Sequence, residues 1–245
     1  MSSPRFRAKE LEGIELLQCS PLLEEGVPHG FTLRTGAFGA RENGEADRKR
    51  LRLALGFSRL AEMNQVHGSD VQVHDESSVL RCDGLMTDQV AVGVVVQSAD
   101  CVPLLLWASK ANAVAAVHAG WRGTLARIAA RAVSRLNEVY GASGEDIQAA
   151  IGPAIRVCCY EVGDEVISAF GESGRDIGRI SRPGPRGRRY LDLVEENRAQ
   201  LAASGVPAER VYDSGLCTYC ENDRFYSFRR EGSGVGRIFG VIGPR

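Results

Sequence analysis

Residues 90–141 read VAVGVVVQSADCVPLLLWASKANAVAAVHAGWRGTLARIAARAVSRLNEVYG, and this stretch decides the fold. Three apolar runs of strand length, at 90–100, 101–107 and 113–120, lie in succession, and continuous rather than alternating apolar residues mark strands covered on both faces. A buried sheet is therefore expected under the middle of the chain, with Cys101 and His118 at strand ends. From Thr124 the spacing changes: Leu125, Ile128, Ala129, Ala132, Val133 and Leu136 recur at helical intervals, and Gly141 stops the helix. Outward from this segment, shorter helices are predicted over Val162–Phe170 and Leu193–Ala203. Strands are predicted over Ile147–Ile151, Val211–Asp213, Phe225–Arg229 and Ile238–Ile242. Strands and helices mix without a strict βαβ rhythm, which predicts an α+β fold with mixed sheets and argues against a doubly wound dinucleotide fold.

A chain of 245 residues with 44% hydrophobic and 25% charged content can bury a substantial core, and one catalytic domain over 1–245 is expected. Residues 1–20 read as an N-terminal extension. Two glycine- and arginine-rich stretches, at 36–48 and 171–189, read as exposed loops, the second a mobile one. Thirty Lys+Arg against 31 Asp+Glu leave a net charge of -1, which offers no general attraction to nucleic acid or to an anionic membrane. A small-molecule substrate is expected, on a monomer or weak oligomer. The N-terminus lacks an apolar signal core and no stretch approaches a membrane span, so a cytoplasmic location is expected. In that compartment seven cysteines predict reduced thiols rather than a disulfide framework.

Three soft donors stand out: His67 in NQVHGSDV, Cys101 in SADCVPLLLW and His118 in AAVHAGWRG. Imidazole and thiolate are the ligands zinc selects, and three protein donors leave a fourth position open, as catalytic zinc sites do. Each residue alone has an ordinary reading: a satisfied core histidine, a small buried hydrophobe, a solvated loop histidine. Together they point to a zinc centre. Asp100, beside Cys101, is costly to bury unless it orients a ligand or accepts a proton, and it is assigned the role of orienting or proton-shuttling carboxylate. His29, in VPHGF, reads as a turn residue and His74 as an exposed side chain. Cys217 and Cys220 form a CxxC without a second half, because Cys158 and Cys159 are adjacent; packed thiols are the preferred reading.

The motifs HGFTLRTG, NQVHGSD, DGLMTD, SADCVPLLL, AAVHAGWRGT, IGPAIRVCCYEVGDEV, DLVEENRAQL and CTYCENDRFYSFRREG, followed by GR, together resemble one bacterial family. It is the YfiH-like family, whose members are called laccase-like polyphenol oxidases, purine nucleoside phosphorylases or peptidoglycan editing factors. The resemblance runs from about His29 to near the C-terminus. It implies a single-domain α/β/β/α sandwich and a zinc held by His67, Cys101 and His118. It further implies phosphorolysis of adenosine, inosine, guanosine and S-methyl-5'-thioadenosine, with adenosine deamination as a side activity. Purine nucleoside and phosphate are then the expected partners.

Deamination needs a proton carrier, for which Asp100 is the candidate. Phosphorolysis needs cations around an anion, for which Arg34, Arg122 and Arg229 are the candidates; Arg230 reads as a surface residue. Residues 39–47 are shorter than the corresponding family segment, which leaves specificity open. Competing readings are a Cys/His amidase that removes a misincorporated serine from a muropeptide precursor, with Cys101 as nucleophile, and a copper phenol oxidase, which four scattered histidines hardly supply. A zinc fully coordinated by protein would instead indicate a non-enzymatic binding module.

Overall fold

A computed structural model describes residues 5–34 and 44–245. In chain order its first half comprises β1 (Phe6–Leu11), β2 (Ile14–Cys19), α1 (Ser20–Glu24), β3 (His29–Thr32), α2 (Gly44–Ala54), β4 (Arg59–Ala61), β5 (Val71–Val73), β6 (Gly84–Thr87), β7 (Val92–Ser98), β8 (Val102–Ala108) and β9 (Ala113–Ala119). There follow α3 (Trp121–Leu125), α4 (Ile128–Tyr140), β10 (Ile147–Ile151), β11 (Glu161–Val162), α5 (Asp164–Glu172), α6 (Ile177–Ile180), β12 (Ser181–Pro183), β13 (Arg189–Leu191), α7 (Leu193–Ala203), β14 (Val211–Asp213), α8 (Phe228–Glu231) and β15 (Ile238–Ile242).

The three central apolar runs become β7, β8 and β9, but they do not share one sheet. β7 lies in a six-stranded sheet of order β1-β2-β3-β15-β7-β4, and β8 and β9 lie in a second of order β14-β10-β8-β9-β6-β5. Both sheets are mixed: β4 runs parallel to β7, and β14 to β10, while their other central pairs are antiparallel. Alternation explains the continuous apolar runs. In β8, Leu105 and Trp107 face the first sheet's Phe31, Val94, Val96, Ile238 and Ile242. Leu104 and Leu106 face the other way, onto Ile128, Ala129, Ala132 and Leu136 of α4 and Leu193 and Leu201 of α7. The outer face of the first sheet packs Ile14, Leu16, Val95 and Phe239 against Leu51 of α2 and Leu55 just beyond its end. The central strands thus bury both faces, giving four layers in the order α/β/β/α.

Four expectations need correction. The predicted helix from Thr124 is two helices, α3 and α4, broken at Arg127 with φ 65°; Leu125 and Ile128 still join the same core, so the apolar spacing runs across the break unchanged. Phe225–Arg229 is not a strand: Ser227 caps α8, its hydroxyl accepting from the Arg230 amide. Residues 171–189 are not a bare loop, since they carry α6, β12 and the start of β13, in a small sheet of order β11-β13-β12. Pro183 is tolerated there because β12 is an edge strand. The supposed extension at 1–20 holds β1 and β2, paired from Phe6↔Cys19 to Leu11↔Ile14; β1 is polar because an edge strand exposes most of its side chains. Of the stretch 36–48, residues 36–43 lie outside the described residues and the rest opens α2. Among the described residues no helix is long and apolar enough to cross a membrane.

Candidate metal centre

The chain changes sheets between β7 and β8, and that corner builds the site. Ser98 ends β7, Cys101 precedes β8, and Asp100 between them has φ 95°, a conformation that L-residues adopt only when their surroundings impose it. Those surroundings are two hydrogen bonds to the Asp100 carboxylate, from Thr218 Oγ1 at 2.6 Å and from the Arg229 amide at 2.7 Å. The Ser98 hydroxyl donates to the Cys101 carbonyl and closes the corner. His118 comes from β9, where Pro103↔His118 and Val102↔Ala119 are paired across the ladder, so the register alone brings it beside Cys101.

His67 arrives on a loop with φ 59°. The buried Asp83 holds that loop: its carboxylate accepts from the amides of Val66, His67 and Gly68 at 3.2, 2.9 and 2.6 Å. Asp83 also binds His118, through Oδ1 to Nδ1 at 2.9 Å and through its carbonyl to the His118 amide at 2.7 Å. Engagement of Nδ1 leaves His118 Nε2 to face the site, the arrangement of metal-ligating histidines oriented by a carboxylate. The donor atoms of His67, Cys101 and His118 all lie within 4.8 Å of one another, with the two rings edge to face at 87°.

Two glycines let the backbone pass close beside these donors. A Cβ on Gly120 would stand 3.2 Å from Cys101 Sγ and 3.4 Å from the His67 ring, and one on Gly123 would stand 2.6 Å from the Gly68 carbonyl. Gly123 is therefore required by close approach, and any side chain at Gly120 would crowd Cys101 and His67. The electrostatics agree with the donor set. Burial pushes the Cys101 thiol up, but the charge of His118 and hydrogen bonds from His118 and His67 outweigh it and hold the thiol at about 6. Burial pushes His118 down, but the Cys101 thiolate and Asp83 raise it to about 9. Without a metal the pair is a thiolate beside an imidazolium, and a dication replaces the shared proton.

The three donors line a cavity of about 700 Å³, also walled by Asp100, Trp121, Arg122, Tyr160, Phe228, Arg229 and Arg237, a volume suited to a small organic ligand. Arg122 and Arg229 line it, with Arg122 stacked 4.3 Å over Trp121 and Arg229 5.3 Å over Tyr160. Arg122 belongs to the five-residue α3 rather than to the long helix. Arg34 does not reach the cavity: it pairs with Glu231 through two contacts of 2.8 Å and lies over Tyr226, because the end of β3 faces the 222–231 segment. Arg230 binds the carbonyls of Thr218, Tyr219 and Phe225, so it is a brace rather than a surface cation.

The carboxylate that orients His118 is Asp83, not Asp100, which touches neither histidine. Sequence reasoning did not assign Asp83, although it heads the DGLMTD motif, where a carboxylate opening a fully buried strand was the available signal. Arg237, Tyr160 and Thr218 were also passed over; nothing local distinguishes them. His29 is a buried strand residue rather than a turn residue, its Nδ1 on the Val27 carbonyl and its Nε2 accepting from the Cys19 amide. His74 is half-buried on a different strand end. Two of the four histidines thus serve this centre, too few for a multicopper cluster.

Comparison with known proteins agrees with this architecture. A purine nucleoside phosphorylase of Bacteroides thetaiotaomicron is 44% identical over 161 residues, covering 65% of this chain and 60% of that protein, so the match spans about three fifths of its length. A purine nucleoside phosphorylase of Deinococcus radiodurans is 38% identical over 250 aligned residues, covering 95% and 94%. Adenosine deaminase RL5, from an unknown prokaryotic organism, is 38% identical over 201 residues, covering 77% and 76%. The crystal structure of the Bacillus licheniformis hypothetical protein YfiH superposes with a TM-score of 0.90 at 28% identity, covering 99% of this chain and all of that one. The family model described as multi-copper polyphenol oxidoreductase laccase matches residues 27–245, and the chain belongs to that family.

Proposed function

We propose that this chain is a zinc-dependent purine nucleoside phosphorylase acting on adenosine, inosine, guanosine and S-methyl-5'-thioadenosine, with adenosine deamination as a side activity. The observation that carries the reading is the convergence of His67, Cys101 and His118 on a cavity walled by three aromatic rings and three arginines. The names of the relatives support it. Zinc held by these donors would supply a Lewis acid with one coordination position left for the substrate.

The chain's own residues account for the remaining needs. Trp121, Tyr160 and Phe228 offer faces on which a purine stacks. Arg122, Arg229 and Arg237 supply guanidinium groups for phosphate, whose oxygen attacks ribose C1' as the bond to the purine breaks and its electron pair leaves with the base. In deamination, water adds at C6 and ammonia departs. Asp100 is the carboxylate in the cavity wall. Thr218 and the Arg229 amide each occupy one lone pair of its oxygens, so its free lone pairs can take the water's proton and pass it to the ammonia.

The test combines metal analysis with detection of adenine and ribose 1-phosphate from adenosine plus phosphate, in the wild type, Cys101→Ala and His118→Ala. Each substitution is expected to remove about one equivalent of zinc and to lower turnover by about 10³-fold or more, as loss of a member of a catalytic unit does. Undiminished zinc in Cys101→Ala sinks the ligand role.

A second reading draws on the thiolate–imidazolium pair itself. Cys101, His118 and Asp83 have the order of a nucleophile, a base and an orienting carboxylate. An amidase acting on a muropeptide precursor would retain full activity after zinc removal, whereas the phosphorylase would lose it.

A further inference from the structure

Away from the catalytic centre, four of the seven cysteines meet at one point. Cys158 and Cys159 lie in the turn after β10, and Cys217 and Cys220 in the turn after β14. These strands run parallel, so their ends emerge side by side. A bridge between Ala154 and Cys217 and a bond from the Thr218 amide to the Ala154 carbonyl at 3.1 Å lock the two turns together. The sulfur contacts are 3.6 Å for Cys158–Cys217, 3.8 Å for Cys158–Cys220 and 3.3 Å for Cys159–Cys220, and all four lie within 4.8 Å of one another.

We propose that these four thiols are a second, structural zinc site, separate from the catalytic centre. A tetrahedral ion with Zn–S bonds of about 2.3 Å sets sulfurs about 3.8 Å apart, and the observed contacts of 3.3 to 3.8 Å reach that spacing, with no pair beyond 4.8 Å. They do not sort into pairs, as disulfides would: Cys158 touches two sulfurs and so does Cys220. Cys158 and Cys220 are exposed, which gives the ion a way in. Burial and neighbouring sulfurs push the Cys158 thiol up to about 11 and raise Cys159 as well. Cys217 is burdened by burial, yet backbone hydrogen bonds at Arg156, Cys220 and Tyr219 hold it down. The thiols ionise on binding, when a dication cancels the repulsion among the thiolates. Binding releases the thiol protons to solvent and changes no oxidation state.

The position of the site gives it a task. It ties segments separated by 59 to 62 residues, a long loop whose closure an ion stabilises. Thr218, next to Cys217, donates to Asp100, and Tyr160, next to Cys159, walls the catalytic cavity. The ion would therefore brace one side of that cavity without touching substrate.

The experiment is zinc analysis of protein purified under reducing conditions, as wild type, as Cys101→Ala and as Cys217→Ser/Cys220→Ser, with alkylation mapping of the wild-type thiols. About two zinc ions per chain are expected in the wild type, with about one kept in Cys101→Ala and its Co²⁺ form showing the charge-transfer bands of four thiolates rather than one. Because the double variant could fail to fold, mapping in the unmutated protein decides independently. Cys158, Cys159, Cys217 and Cys220 should resist alkylation until a chelator is added. Equal alkylation with and without chelator, no zinc in Cys101→Ala, or recovery of the four cysteines as disulfides would overturn the proposal.

Discussion

Two buried histidines, one in each sheet, sit in opposite charge states. His29 in β3 is wholly buried and His118 in β9 is 3% exposed, and both stand close to a glycine. Burial lowers both, yet His29 falls to about 4 and His118 rises to about 9. His29 has backbone partners, the Val27 carbonyl and the Cys19 amide, and the amide that donates to its Nε2 requires a neutral ring. His118 has a thiolate on one side and Asp83 on the other. The comparison shows that burial fixes the penalty for a charge while the partners decide whether the charge forms. A histidine becomes a candidate ligand through what the tertiary fold places across from it.

The sharpest way to break this comparison is to remove the carboxylate. Asp83→Ala leaves His118 and three loop amides without their shared acceptor in a fully buried place. Removing one member of a buried, hydrogen-bonded pair costs about 3–5 kcal/mol. Losing the carboxylate behind a metal-bound histidine weakens metal affinity about 10–100-fold. Urea unfolding of the chelated protein and competitive zinc titration measure the two effects. A variant with unchanged stability and zinc affinity would show that Asp83 does not position the centre.

The same contrast explains what the sequence could convey. His67, Cys101 and His118 were legible because each carries its surroundings locally: glycines that permit close approach, a carboxylate next to the thiol, strand-length apolar runs that end where the donors stand. The strands β10 and β15 were legible for the same reason, their short apolar runs being intact, whereas α7 buries Glu196, Asn197 and Gln200 beside its apolar residues and was legible through its helix-forming composition. Asp83 was not, because its significance lies in a residue 35 positions away. His29 was misread as a turn residue since nothing near it announces that β2, β3 and β15 enclose it. The four-thiol cluster was concealed because its halves meet only where β10 and β14 pair. The switch of β7 and β8 into different sheets was hidden in runs whose composition is the same on either side of Asp100.

The pH dependence of stability sharpens the contrast further. In the metal-free protein the proton that Cys101 releases is in effect the one His118 holds, so between about 6.5 and 9 the pair changes the proton count little on folding and contributes little slope. His29 has no such partner. Its value falls from 6.5 unfolded to about 4 folded, so in that window the unfolded state binds the extra proton. The sign is then fixed: stability is intact above about pH 6.5 and declines as pH falls toward 4, by about 3 kcal/mol in total. His29→Gln should abolish that part of the acid slope, whatever its effect at neutral pH. Denaturant unfolding at several pH values, wild type against variant, reads the difference, and identical slopes would show that His29 is not neutral by constraint.

The smallest expected effect falls at the join between the catalytic corner and the thiol turns. Thr218 Oγ1 donates to Asp100 at 2.6 Å, and Asp100 is held at φ 95°. Thr218→Val keeps the side-chain shape but removes the donor, at a cost of about 1–2 kcal/mol for a buried hydrogen bond to a carboxylate. The Arg229 amide remains bound to the other oxygen, so the corner should hold and the zinc content stay unchanged. If Asp100 carries the proton in deamination, a carboxylate oriented by one donor instead of two lowers kcat for adenosine deamination while KM stays the same. A purely structural Asp100 would instead yield lower stability with an unmoved kcat. The corner that carries Cys101 into the site depends on Asp100, and Thr218 tells whether that residue also takes part in the chemistry.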